Sequence, residues 1–183
     1  KGLVILIRLL SSTSTYTAEH KRMESTRSLD ALATSVDNSF LVDLEEDPER
    51  EKYEPNKFSR EVKSGHFVLV RPTPLPDPIL VSFSKRMSKS LGISDEDCKS
   101  QRFVGFFSGD IDVLPGFKSW ATPYALSIYG QEMYNNCPYR TGNGYGDGRA
   151  LSFGEVVPDG SSRWDFNLKG VATSPFCRGG DGR

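Results

Sequence analysis

Glycine recurs at every second position from residue 142 to residue 148, and Arg149 follows the last of these glycines. In an extended segment alternate residues share one face, so four alternate glycines leave one face of the backbone bare. A phosphate can approach such a backbone closely, as it does in glycine-rich phosphate loops. Lys169 follows Arg149 by twenty residues and could neutralise phosphate charge. The pattern by itself favours a phosphate site about as much as a surface loop with a solvated lysine.

The string Gly-Asp-Gly-Arg occurs twice, at residues 146–149 and again at residues 180–183. Two glycine-rich turns that close on one nucleotide would explain the repeat. Each copy also has a plainer explanation, because Asp-Gly is common in tight turns and an exposed arginine is usually solvated.

The sequence offers few residues for nucleic-acid binding, metal binding or nucleophilic catalysis. Its formal net charge of −1 disfavours general nucleic-acid binding. The single histidines His20 and His66 offer no triad or metal cluster, and we expect His66 to begin a strand. Asp110 and Asp112 lack further carboxylates at calcium-loop spacing, so a solvated turn is the better interpretation. Three widely spaced cysteines could in principle bind a metal or form a disulfide, but their spacing and odd number favour reduced thiols: Cys98, Cys137 and Cys177.

The sequence predicts a β-hairpin after the glycine-rich segment. Residues 150–157 and 163–171 read as strands, and the Pro-Asp-Gly-Ser-Ser string between them is typical of a turn. The two-residue period of a strand divides the second strand into two faces. The apolar face comprises Trp164, Phe166 and Leu168, and the polar face comprises Arg163, Asp165, Asn167 and Lys169.

Further elements are predicted upstream. Residues 66–70 form a compact β-type run, and four prolines in residues 71–78 predict an extended segment. Apolar spacing predicts an amphipathic helix over residues 79–91 that stops at Gly92. A second helix is predicted to begin at Pro123, after a Thr122 cap.

We divide the chain into three parts. Residues 1–28 are expected to be a leader, disordered or transit-like, whose apolar run is too short to cross a membrane. Residues 29–57 are expected to be a wrapping arm, and their acidic, Pro-punctuated stretch to be solvated surface or a linker. The folded part, residues 58–183, is expected to begin near Phe58. Because the chain starts at Lys1 and ends within a glycine-rich run, we expect a fragment.

Three strings together resemble the selenoprotein O family: SGHFVLVRPTPLPDPILVSFS, NGYGDGRALSFGE and WDFNLKGVATSPFCRGGDGR. The likeness runs from about Leu29 to Arg183. It implies an α+β fold, a protein-kinase-like N-lobe with a mainly antiparallel sheet, packed helices and an irregular N-terminal arm. It also implies that the C-lobe is missing.

The resemblance further implies an activity, the transfer of AMP from ATP to Ser, Thr or Tyr hydroxyls of proteins, with the nucleotide inverted relative to ordinary kinases. The implied ATP-binding residues are Gly146, Gly148, Arg149, Lys169, Asp181 and Gly182. The catalytic aspartate and the Mg2+ ligands are expected after Arg183, so the fragment alone should be inactive.

The resemblance also implies binding partners and a cellular location, and the sequence leaves a second function open. The implied partners are ATP and hydroxyl-bearing protein substrates, with no nucleic acid and no membrane span, and the implied location is mitochondrial. The alternative function is a catalytically inactive nucleotide-binding pseudokinase or scaffold module.

Overall fold

The computed structural model describes residues 6–9, 28–56, 58, 60–128 and 150–169, with the backbone alone described at residues 6–9, 150 and 169. The fold is α+β, as predicted, with a five-stranded antiparallel sheet in the order β1-β5-β4-β3-β2. The strands are β1 (Leu6–Leu9), β2 (Val68–Leu69), β3 (Trp120–Ala121), β4 (Ala150–Val156) and β5 (Trp164–Lys169). Strand β1 lies within the segment expected to be a leader, and the sequence analysis did not predict it.

Five α-helices and three short 3-10 helices accompany the sheet in the described ranges. The α-helices are α1 (Leu29–Thr34), α2 (Ser39–Asp43), α3 (Lys85–Ser90), α4 (Gln101–Phe107) and α5 (Pro123–Ile128). The 3-10 helices are Arg50–Tyr53, Asp97–Lys99 and Ile111–Val113. Among the described helices none combines the length and the hydropathy that a membrane span requires.

The core is built largely from stacked and tilted phenylalanine rings between α4 and the β4–β5 hairpin. Phe106 lies 4.6 Å from Phe117 and 5.1 Å from Phe153, measured between ring centroids. Phe153 in turn lies 5.5 Å from Phe166. Ser100 caps α4 by accepting a hydrogen bond from the Phe103 amide at 3.1 Å. The hairpin is therefore anchored by its apolar face to a helix that the sequence analysis did not predict.

The buried core begins earlier than the expected start near Phe58. Leu29 and Leu32 in α1 are each 1% exposed and belong to the main apolar cluster. Ser28 caps this helix by accepting a hydrogen bond from the Ala31 amide at 3.0 Å. The Asp97 carboxylate accepts a further bond from the Leu29 amide at 3.3 Å. Residues of the predicted arm are thus part of the core, although the arm also wraps across the sheet.

The acidic stretch is not solvated throughout, so that prediction is wrong at Asp47. This residue is 3% exposed, and its carboxylate lies 2.5 Å from the Arg60 guanidinium, whose side chain is 7% exposed. Asn56 accepts two bonds from the same guanidinium, at 2.8 and 3.2 Å, and the Tyr53 ring lies 4.6 Å from it. A buried charge pair of this kind needs such additional partners, because each ion loses its hydration.

The helix predicted over residues 79–91 is shorter than expected. It occupies only Lys85–Ser90, where Ser84 accepts a bond from the Met87 amide at 3.3 Å. The chain from residue 79 to residue 84 forms neither helix nor strand, and Ile79 is 65% exposed. Leu80 and Phe83 still pack on the core from this irregular segment, which explains the misleading apolar spacing. Gly92 follows the helix with a φ of +67°, as its predicted role requires.

The predicted β-type run and second helix are confirmed, and the prediction for the proline-rich segment is confirmed in part. The run after His66 contains β2. Residues 71–78 form neither helix nor strand, but Asp77 has a φ of +45°, so the segment is not extended throughout. Helix α5 begins at Pro123, where the Thr122 hydroxyl accepts a bond from the Ala125 amide at 3.1 Å. The remainder of that predicted helix, beyond residue 128, lies outside the described residues.

Candidate functional site

The glycine-rich segment leads directly into β4, and β4 pairs with the strand that carries Lys169. Ala150, the residue after Arg149, is the Cα partner of Lys169 in the antiparallel register. The chain between them turns through Val157 and Gly160, whose amide donates to the Val157 carbonyl at 3.3 Å. Gly160 has a φ of +70°, a conformation that favours glycine. The predicted hairpin is confirmed, and its open end holds the candidate lysine.

The remaining candidate ATP-binding residues cannot be placed in the fold. Gly146, Gly148, Arg149, Asp181 and Gly182 lie outside the described residues. Their binding of phosphate therefore stays a prediction.

Strand β5 has the two faces that its sequence predicts. Its apolar side chains are buried, with exposures of 9% for Trp164, 0% for Phe166 and 2% for Leu168. The alternate residues Arg163, Asp165 and Asn167 are partly exposed. Lys169 occupies the register position that continues this polar row.

Strand β4 contains a bulge that changes which residues share a face. Ser152 pairs with Asn167, but the next recorded pair is Glu155 with Asp165, so β4 carries one residue more than β5. Gly154 lies in the bulge with a φ of +141°, and a Cβ there would overlap the Phe117 ring, whose Cε1 would be 3.0 Å away. The extra residue places Glu155 beside Asp165 on the polar face.

Glu155 is the centre of a polar cluster that the sequence analysis missed. Glu155 is 7% exposed, and its Oε2 accepts hydrogen bonds from the Phe40 amide at 2.7 Å and from the Ser39 hydroxyl at 3.4 Å. The Arg163 guanidinium donates to the Ser39 hydroxyl at 2.7 Å and pairs with Asp37. Arg163 also lies 3.9 Å from the other Glu155 oxygen. The cluster joins the N-terminal arm to both strands of the hairpin.

Asp165 adds a second partly buried carboxyl on the same face. Burial raises the pKa of the Asp165 carboxyl, the hydrogen bond from the Ser152 hydroxyl at 2.5 Å opposes that shift, and the negative charge of Glu155 raises the pKa further. Burial and the neighbouring charge of Glu155 therefore favour the protonated form of Asp165 relative to an exposed aspartate.

The metal and nucleophile candidates find structural partners instead. Asp112 forms a two-bond ion pair with Arg71, at 2.7 and 2.8 Å, on the surface. His66 lies two residues before β2 and not within the strand that it was predicted to begin, and its Nδ1 accepts a bond from the Glu45 amide at 3.3 Å. Burial raises the pKa of the Cys98 thiol, which disfavours a reactive thiolate. In the part of the chain that the structure describes, no group of three or more His, Cys, Asp or Glu side chains could hold a metal ion.

Comparison with known proteins supplies the family. A family model described as protein adenylyltransferase SelO matches residues 50–183. A protein nucleotidyltransferase YdiU from Aromatoleum aromaticum is 34% identical over 152 residues, which cover 81% of this chain and 26% of that protein. The same-named protein from Myxococcus xanthus is 36% identical over 128 residues, covering 70% and 24%.

The protein nucleotidyltransferase YdiU from Xanthomonas campestris pv. campestris is 34% identical over 147 residues, covering 80% of this chain and 25% of its own length. This chain spans about a quarter of the length of these curated relatives. The matched residues include the glycine-rich segment, the hairpin and the closing Gly-Asp-Gly-Arg string. By this match the chain belongs to the protein adenylyltransferase SelO family.

Proposed function

We propose that this chain is the ATP-binding part of a protein adenylyltransferase, which transfers AMP from ATP to Ser, Thr or Tyr hydroxyls of proteins. The observation that carries the proposal is the pairing of Ala150 with Lys169. It brings the end of the glycine-rich segment and the backbone of the lysine to the same end of one hairpin. Family membership supports nucleotidyl transfer as the chemistry.

The proposed ATP site combines two kinds of group. Backbone amides of the segment containing Gly146 and Gly148 would approach the phosphates, because glycine leaves no Cβ in the way. Lys169 would neutralise phosphate charge, together with Arg149. The second Gly-Asp-Gly-Arg string, which follows β5 in the sequence, would contribute Asp181 and Gly182. We propose on the same basis that the sheet and its helices form the N-lobe of a kinase-like fold.

We propose that ATP binds together with Mg2+. The described residues offer no carboxylate cluster that fits Mg2+, which favours octahedral oxygen coordination. We therefore assign no residue of the described ranges to the metal. That its ligands follow Arg183 stays an implication of the family resemblance. The bound ion would offset charge on the phosphates during transfer.

The experiment uses the full-length protein that contains this chain, with magnesium and ATP labelled either at the α-phosphate or at the γ-phosphate. Label from the α-position should appear on protein hydroxyls, and Lys169→Ala should reduce it by about a hundredfold or more. Label transferred only from the γ-position would identify a phosphotransferase and contradict the proposal.

The alternative function is a nucleotide-binding pseudokinase or scaffold without catalysis. It would bind Mg-ATP with the same dependence on Lys169 but transfer neither label. The mitochondrial location implied by the family resemblance stays a prediction, and imaging of the tagged full-length protein would test it.

A further inference from the structure

Strand β5 of the hairpin that carries Lys169 pairs with β1 through four Cα pairs, from Leu6 with Asn167 to Leu9 with Trp164, but the outer edge of β4 has few directional bonds to the rest of the sheet. Among the described residues, β3 contacts β4 through a single recorded Cα pair, Trp120 with Ser152. The apolar face of the hairpin packs on the phenylalanine core. Apolar burial is favourable but non-directional, so it holds the hairpin down without fixing its tilt.

The N-terminal arm supplies the missing directional bonds. Residues 35–40, which we name the clasp, run along the outer edge of β4 beyond its contact with β3. The Val157 amide donates to the Ser35 carbonyl, and the Asp37 amide donates to the Glu155 carbonyl, both at 2.9 Å. Val36 and Val156 form an antiparallel bridge between these two bonds. The clasp thus replaces β3 as the neighbour of the second half of β4.

Side chains lock the clasp in place. The Glu155 carboxylate accepts from the Phe40 amide and the Ser39 hydroxyl, and Arg163 on β5 binds Ser39 and Asp37. These bonds tie the clasp to both strands of the hairpin at once. Charge-assisted bonds to a buried carboxylate are the stronger class of hydrogen bond, so Glu155 dominates the attachment.

The clasp has a few contacts that do not depend on the Glu155 side chain. Its two backbone bonds to β4 remain, and the Asn38 side-chain amide donates to the Gly116 carbonyl at 2.9 Å. Its apolar contacts are Val36, which packs on the main apolar cluster, and the Phe40 ring, which stacks on Trp120 with centroids 4.3 Å apart. Loss of the Glu155 bonds should therefore loosen the part of the clasp around Ser39 and Phe40 without removing much core.

We propose that Glu155 is a positioning residue for Lys169, which acts by holding the clasp against the hairpin. This inference rests on the proposed function, because it takes Lys169 as a phosphate-binding residue. Lys169 lies at the end of β5 opposite the clasp, about five residues or ~17 Å along β4 from Glu155. Without the clasp, no described strand would hold this half of β4, so the hairpin could twist about the pairing of β5 with β1, and a small twist would displace its other end.

The test compares variants of the full-length protein at a temperature where circular dichroism shows each variant fully folded. Glu155→Ala should weaken Mg-ATP binding, measured by calorimetry, by about tenfold, within the range for residues remote from a ligand. Glu155→Gln keeps an acceptor oxygen for the Phe40 amide and should weaken binding less. Hydrogen exchange at the Phe40 amide should accelerate in the same order.

The matched control is Leu114→Ala, a core truncation at a residue that is 1% exposed and belongs to the main apolar cluster rather than the clasp. It loses stability but keeps every clasp bond, so its Mg-ATP affinity should equal that of the wild type. Equal weakening by Leu114→Ala would show that stability alone is responsible and would overturn the inference.

Two other outcomes are decisive. Wild-type affinity in both folded Glu155 variants would overturn the positioning role and leave the proposed function standing. A wild-type protein that binds no Mg-ATP would overturn the proposed function, and this inference with it.

Discussion

Phe166 and Lys169 lie three residues apart on one strand, yet their replacement by alanine should have opposite consequences. The Phe166 side chain is fully buried, with ring centroids 5.5 Å from Phe153, 5.9 Å from Phe107 and 6.0 Å from Phe117. Lys169 occupies the position that continues the polar row of β5. The first change should affect the fold, and the second should affect the ligand.

The expected magnitudes are well separated. Removal of a buried phenylalanine ring costs about 3–5 kcal/mol, because the transfer energy is lost and a cavity remains. That is a large part of the roughly 5–15 kcal/mol that keeps a typical domain folded. A substitution that removes no core contact and no buried polar partner usually changes stability by no more than about 0.5 kcal/mol, and Lys169 continues the row of β5 that lies outside the apolar core. Lys169→Ala should therefore leave the unfolding free energy nearly unchanged.

Thermal melting of the full-length protein, with and without Mg-ATP, measures both effects on one sample. A ligand present at a hundred times its dissociation constant stabilises the native state by about 2.7 kcal/mol. The wild type should show this increase in melting temperature, and Lys169→Ala should lose it. Phe166→Ala should melt several degrees lower without any nucleotide.

Asn167→Ala is the matched control, because Asn167 shares the polar face and is partly exposed. It should melt like the wild type and keep the response to Mg-ATP. If Lys169→Ala destabilises the protein as much as Phe166→Ala and retains the nucleotide response, the assignment of faces at the end of β5 is wrong.

Three further predictions follow from single positions. Gly148→Val should weaken ATP binding with little change in melting temperature. Gly160→Val should lower the melting temperature and leave ATP binding unchanged, because a β-branched residue is strained at a φ of +70°. A full ATP-induced increase in the melting temperature of Gly148→Val would refute the phosphate interpretation. Asp165 has a folded-state pKa raised above 3.8, so the native state holds its proton to higher pH than the unfolded chain does, and ionisation costs stability as pH rises through that interval. Asp165→Asn should therefore raise the melting temperature at pH 7 and leave it unchanged near pH 3, and a lower value at pH 7 would contradict this. Asp47→Ala should lower the free energy of unfolding by about 3–5 kcal/mol, because it leaves the Arg60 charge buried without its carboxylate. If chemical denaturation gives a decrease below about 1 kcal/mol, water reaches the guanidinium.

Local sequence was sufficient for several elements of the fold. The two faces of β5, the Asp-Gly turn, the Thr122 cap and the stop at Gly92 all match the structure. Each depends on a backbone preference or a side-chain period that operates within a few residues. The antiparallel pairing of β4 with β5 also follows from such a local signal, since a tight turn brings the two strands that flank it together.

The arm and its buried charge could not be predicted in this way. Asp47 stands in a run of acidic and polar residues that is typical of solvated chain, but Arg60 removes it from water. Leu29 and Leu32 become core residues because α4 and the hairpin provide a surface for them. Such burial depends on partners that are distant in sequence.

The faces of β4 show most clearly what only the tertiary structure decided. Strict alternation along this strand would place Glu155 on the same face as Leu151 and Phe153, inside the apolar core. The bulge at Gly154 adds one residue, so Glu155 lies on the opposite face, where it binds the clasp. The bulge accommodates the ring of Phe117, which leaves no room for a side chain at that glycine. Sequence alone determined that β4 and β5 pair, because that signal is local, whereas packing between distant segments decided which of their side chains meet the arm.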